Sequence, residues 1–299
     1  MPMTWQRREL AGQRAPIGAA LLVVGAAISQ EVGAAYAVGL FAALGAIGAV
    51  FTRSLVAGVI LGIAVRPRLR GLSRRAWGSA AALAATLTVM NLCFYSALSR
   101  IPLGVAVTIE ALGPLVLSVV VSARRIAWLW AVLAFSGVAL LGLSQQRAGG
   151  IDPVGCAFAV AAGVSWAAYI LASSRAAAQF RRVDGLAVAT MLGAAATAPI
   201  ALVSIDHAQA ATWRVLVLAV TVGVLSSVIP YSLELLSLRR LPPATFAILT
   251  CLSPVVAALA GWIVLEQQLG LVGYLAIGLV TAASVGAVRS AHAARAPAP

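Results

Sequence analysis

Three glutamates stand in stretches otherwise apolar enough to enter a bilayer: Glu31, Glu110 and Glu234. An ionised side chain at the centre of a membrane helix costs about 2.5–3.5 kcal/mol on insertion scales, so a carboxylate there is read first as a functional site. A low-dielectric setting makes a carboxyl group hold its proton more readily, which suits it to exchanging protons or taking up an ammonium group. Glu110 lies in FYSALSRIPLGVAVTIEALGPLVLSVVV, with Pro114 four residues on and on the same helix face. It reads as a substrate or proton site, or as a structural hydrogen-bond acceptor. Glu234, in PYSLELLSLRR, could serve the same site or pair with Arg239 or Arg240. Glu31 follows Gln30 in the polar notch AISQEVGAAY.

A lone arginine, Arg53, lies in a second apolar stretch. Such a residue pairs with a carboxylate, snorkels to the interface, or captures an anionic substrate group. A structural pair with Glu31 is the leading expectation. Asn91 and Tyr95 are one turn apart and share a helix face, as do Trp166 and Tyr169. Tyr231 adjoins Pro230, which should break its helix near Glu234. These aromatics read as packing, or as the walls of a cavity. A zwitterionic substrate would need an acid for its ammonium and donors for its carboxylate. Glu110 would supply the first, and Asn91, Tyr95 and Tyr231 the second.

The elements carrying these residues are membrane helices. The chain of 299 residues is 62% hydrophobic and 10% charged, against about half and about a quarter in a soluble domain. Its mean hydropathy is +1.01. The expected fold class is all-α integral membrane, in contact with lipid from end to end. Reading for runs of about 20 apolar residues gives ten spans, near 16–38, 43–64, 77–98, 103–121, 127–144, 153–173, 186–205, 213–235, 244–263 and 269–288. The first pair is the least marked, because 39–48 holds no charged loop. The long first run is expected to be retained as a span rather than cleaved as a signal segment.

The net charge of +13 comes from arginine alone. With the N-terminus inside, 17 arginines fall in inside segments and only Arg100, Arg147 and Arg214 outside. That bias places both termini in the cytoplasm. The arginines are scattered through short loops, which argues against a nucleic-acid surface. Cys93, Cys156 and Cys251 lie in apolar runs without metal-ligand spacing, and His207 and His292 fall in a loop and the tail. No metal, cofactor or catalytic constellation is indicated, so a polytopic membrane enzyme is disfavoured.

At an offset of 140 residues, SRIPLGVAVTIEALGPLV lies over RRLPPATFAILTCLSPVV. Arg100, Pro102, Leu112, Pro114 and Val116 meet identical residues, and Pro114 is matched by Pro254. The offset joins span 4 to span 9. Five spans per half is an odd number, so the second half must be inverted, an architecture typical of secondary transporters with a midplane site. The expected organisation is a cytoplasmic segment 1–15, a first five-helix repeat 16–144, a second inverted repeat 153–288 and a disordered cytoplasmic tail 289–299. Pro114 and Pro254 would shape the helices. Thr250 stands where Glu110 stands in the first half, so a pseudo-symmetric pair presents one acid and one hydroxyl.

Several strings carry a resemblance: NLCFYSALSRIPLGVAVTIEALGPLVLSVVVSARR, GVSWAAYILASSRAA, IPYSLELLSLRRLPPATFAILTCLSPVVAALAG and the VLEQQL turn with Glu266. With the ten-span repeat, these resemble the EamA-type drug/metabolite transporter superfamily, and within it the bacterial inner-membrane exporters of threonine and homoserine. The likeness runs from Asn91 onward and is weaker in spans 1 and 2. It implies secondary active, proton-coupled export of small amino acids by alternating access, through a cavity lined by both halves. The sequence leaves monomer and homodimer both open. Efflux of a different metabolite or a drug is the alternative.

Overall fold

The computed structural model describes residues 3–67, 70–122, 125–146, 150–180, 183–238 and 249–293, and all regular structure among them is helical. The helices are α1 (Met3–Val38), α2 (Phe41–Val65), α3 (Arg74–Leu98), α4 (Leu103–Glu110), α5 (Leu112–Ser122), α6 (Arg125–Gln146), α7 (Pro153–Ala177) and α8 (Asp184–Ser204). The short α9 (His207–Ala210) and α10 (Trp213–Gly223) follow. A π-helical segment (Val224–Val228) then leads into α11 (Ile229–Leu238), and α12 (Ser253–Leu265) and α13 (Leu271–Ala293) complete the chain.

Six segments are long and apolar enough to cross a membrane: Gly18–Val38, Phe41–Val65, Arg74–Leu98, Pro153–Ala176, Asp184–Ser204 and Trp213–Glu234. Four shorter apolar helices, Leu103–Leu117, Trp128–Leu141, Ser253–Leu265 and Leu271–Gly286, fall where four further spans are expected. Large apolar side chains such as Val203 (87% exposed), Trp213 (75%) and Ile63 (68%) point outward. Such a surface is stable against lipid rather than water, because every backbone group of a helix is satisfied internally. The least marked boundary is a turn at 39–40 followed by a kink at Gly45, where φ is 63°. Pro16 lies inside α1 rather than at its start.

Local chemistry explains the other ends. Ser73 caps α3 by accepting from the Ala76 N–H, and Asp152 caps α7 by accepting from the Val154 N–H with Pro153 in the first turn. The α4–α5 break follows from Pro114. It has no N–H for the Glu110 carbonyl, and its ring crowds that carbonyl. The helix stops at Glu110, turns at Ala111 and resumes at Leu112. The equivalent stretch turns at Cys251–Leu252 before α12, ahead of Pro254. The earlier part of that repeat, 239–248, lies outside the described residues.

The main helix contacts are α3 with α7, α2 with α8, α6 with α13, and α4 with α12. The helix pair α10–α11 and its π segment packs on α1 and α2, α3 also meets α8, α1 meets α12, and α7 meets α4 and α5. Among the described residues the largest apolar cluster lies at one end of the bundle. It joins the C-terminal parts of α1, α3 and α12 to the N-terminal parts of α2, α4, α7 and α13, through residues such as Ala37, Leu98, Leu103, Ala159, Ala260 and Ile277. Toward the other end the described core is divided. One cluster sits between α3, α7 and α8 (Leu83, Ala84, Ala172, Ala176, Ala189), and a separate one holds Ala19 and Val23 of α1 with Leu249.

Candidate substrate site

Arg53 is the centre of a buried polar cluster between α2, α3, the π segment and α11. It is 5% exposed. Its Nε donates to Ser227 Oγ at 2.7 Å, and one Nη donates to Asn91 Oδ1. The other Nη donates to the Ser226 carbonyl at 2.6 Å and to the Tyr231 hydroxyl at 3.3 Å. The guanidinium also lies over the Tyr95 ring, 5.6 Å from its centroid, a geometry that favours a cation. The Asn91 amide is oriented by a second bond, Nδ2 to the Leu87 carbonyl at 2.7 Å.

The sequence dictates this grip through Pro230. A proline gives the preceding turn no N–H, so Ile229 bonds back to Val224 and a π segment forms. Carbonyls in that segment then turn to side-chain donors: Leu225 accepts from Ser29 Oγ at 2.7 Å, and Ser226 accepts from Arg53. The expected Arg53–Glu31 pair does not form. Among the described residues the only ion pair is Arg100–Asp152, at 3.0 Å on the surface. Neutral oxygens freed or positioned by Pro230 occupy the guanidinium instead. Ser226 and Ser227 were missed in the sequence. The signal for them was two serines three and four residues ahead of a proline in an apolar run.

Glu110 ends α4 and is 8% exposed, and Glu31 on α1 is 2% exposed. Each lies within Coulomb reach of Arg53, and Glu31 also feels Glu110. The freed Glu110 carbonyl lies 2.7 Å from where a Cβ on Gly163 would sit, so α7 approaches the break only because residue 163 is glycine. Tyr169 of α7 packs against the α3–α8 cluster, and its surroundings include Tyr231 and Glu234. Trp166 is half-buried one turn earlier, and Glu234 is half-buried on α11. The Arg239 and Arg240 offered as its partners lie outside the described residues. Thr250 falls just before the second break, opposite Glu110 in the repeat.

The structure therefore brings Arg53, Asn91, Tyr95, Tyr231, Glu31 and Glu110 together. It sets Tyr169 and Glu234 beside them, toward the divided end of the bundle. At the end that holds the largest apolar cluster, Gln267 accepts from the Leu103 N–H at 3.0 Å, which caps the start of α4. The Arg100–Asp152 pair ties the α3–α4 connection to the start of α7, and the bond from Arg100 holds the Asp152 carboxyl below its ordinary range.

These features define a polytopic helical membrane protein with a fixed cation and acids in its interior. A model of the EamA-like transporter family matches residues 153–289. The threonine/homoserine exporter RhtA of Escherichia coli K12 is 34% identical over 266 residues, covering 89% of this chain and 90% of that protein. The protein of the same name from Salmonella typhimurium SL1344 is 34% identical over 92% of each chain. One crystal structure, 20% identical, covers 96% of this chain and 98% of its own with a TM-score of 0.54, a likeness of fold alone. The chain belongs to the EamA-like transporter family, with its near relatives among RhtA-type proteins. It is a transporter rather than an enzyme, and a multi-pass protein of the bacterial inner membrane.

Proposed function

We propose that this protein exports small amino acids of the threonine and homoserine kind, coupled to proton entry. The observation that carries the reading is the fixed Arg53 charge held by neutral partners, with Glu110 facing it from a broken helix. A zwitterion fits such a pair. Its ammonium is drawn to Glu110, and its carboxylate to the Arg53 field and the neighbouring Asn91 and Tyr231 groups. The match to exporters of threonine and homoserine over most of the chain supports the same substrate class.

Alternating access by two inverted five-span halves is part of the proposal. Three features support it: the 140-residue repeat, helix breaks ahead of both Pro114 and Pro254, and a contact pattern that survives exchanging the halves. Under that exchange α3 on α7 becomes α10–α11 on α1, and α1 on α12 becomes α7 on α4 and α5. The arginine distribution favours cytoplasmic termini, and it places the end that holds the largest apolar cluster outside. The test is growth of cells overexpressing the protein. Resistance to toxic homoserine and threonine without resistance to cationic dyes is expected. Dye resistance alone would point to drug efflux.

A further inference from the structure

We propose that Glu31 is the proton site of the transport cycle, separate from the acid that takes the substrate's ammonium, with Arg53 as the fixed charge coupling the two. The inference rests on the exporter reading above and adds a residue and a mechanism to it. Glu31 is 2% exposed, and its Oε2 is buried without a hydrogen-bond partner. Its helix is pinned on both sides of it. Ser29 donates to the Leu225 carbonyl at 2.7 Å, and a Cβ on Gly33 would collide with Ser226 Oγ. Ser29 and Gly33 are one turn apart on the face pressed against the π segment. Glu31, between them in sequence, is turned away from that face and is enclosed in the interior. A bare carboxylate buried in this way is far more costly than the neutral acid.

The charged and titratable groups around Glu31 define the coupling. Glu110 on α4 and Arg53 on α2 both act on Glu31, while Tyr95 of α3 and Tyr231 of α11 act on Arg53. Helix α11, which carries Tyr231 and Glu234, and α12, preceded by Cys251, also pack on α1. Before substrate binds, Glu110 carries the negative charge that balances Arg53, and Glu31 is neutral. An ammonium pairing with Glu110 cancels its field at Arg53. The uncompensated guanidinium then favours a carboxylate on Glu31. Its O–H bond breaks and the proton passes to water on the loading side. A proton from the opposite side resets the pair after release. Arg53 is held by neutral groups alone, so it can turn toward Glu31 when that charge appears. The Arg53–Glu31 ion pair absent from this structure belongs to the substrate-loaded state. Linkage is reciprocal, so acid must weaken substrate binding by the factor with which substrate displaces the proton.

The test uses the purified full-length protein in lipid vesicles, with radiolabelled threonine and a pH indicator in weak buffer. The wild type should release a proton on binding threonine, and its affinity should fall roughly tenfold or more from mildly alkaline to mildly acid pH. E31Q should still bind threonine, release no proton and show a flat pH profile, whereas E110Q should lose binding. Proton release by E31Q equal to that of the wild type overturns the proposal. Infrared difference spectra decide the question if E31Q misfolds. The wild type should show a carboxylic-acid C=O stretch that disappears on adding threonine and shifts in E31D, and a threonine-insensitive spectrum overturns the assignment. A wild type that binds neither threonine nor homoserine overturns the substrate reading alone. The acid band and its pH titration, read in wild type against E31D, then still decide the proton site.

Discussion

Arg53 and Arg100 carry the same charge into opposite surroundings. Arg100 is 46% exposed at its side chain and meets Asp152, its opposite charge, at 3.0 Å. Arg53 is 5% exposed, and hydroxyls, an amide, a carbonyl and an aromatic face satisfy it while its acids stand off. The exposed pair is screened and contributes little. The buried cation cannot be neutralised by losing a proton, so its field acts across a low-dielectric interior with little screening. The difference separates a clasp from an engine. One joins two connections at the surface, and under the proposed function the other sets the charge to which substrate and proton respond.

The largest effect is expected at Arg53 itself. Arg53→Ala should abolish transport and lower stability by about 3–5 kcal/mol, because it strands the buried acids and orphans several acceptors. Detergent-solubilised thermal unfolding beside vesicle transport measures both. Glu110→Gln should come next, with export reduced by roughly tenfold or more and unfolding nearly unchanged, since the amide keeps the shape and loses the charge. Pro230→Ala restores an N–H that competes with Arg53 and Ser29 for carbonyls of the π segment. Transport should fall several-fold without loss of folded protein, and hydrogen exchange should show stronger protection across Val224–Val228. The smallest effect is expected at the clasp, where Asp152→Asn should change export by a few-fold at most. The sign of its pH response follows from the depressed carboxyl. The ion pair holds above the ordinary aspartate range and is lost only as pH falls through the lower, folded value. Between neutral and mildly acid pH the clasp is therefore constant and contributes no pH dependence to transport there. A transport profile that flattens in Asp152→Asn would reverse that assignment.

Much of the fold was legible because prolines are unambiguous in apolar sequence. Pro114 and Pro254 marked both helix breaks, and the span expected from 153 begins there as α7. Glu110, Asn91, Tyr95 and Tyr231 were legible as polar groups in spans, and the structure brings them to one cluster. The wiring was not legible. Pairing Arg53 with Glu31 followed from opposite charge, but backbone carbonyls carry no letter in the sequence. The competing acceptors came from the π segment, whose existence depends on Pro230 and on packing against α1 and α2. Trp166 could not be placed from spacing, because its i, i+3 relation to Tyr169 is equally that of packing.

The most direct measurement is efflux of radiolabelled threonine from loaded vesicles under an imposed inward proton gradient, wild type against Glu110→Gln. Gradient-stimulated efflux that collapses in the variant is the predicted result. Efflux of equal rate and equal pH dependence in the two proteins would contradict a substrate site at Glu110.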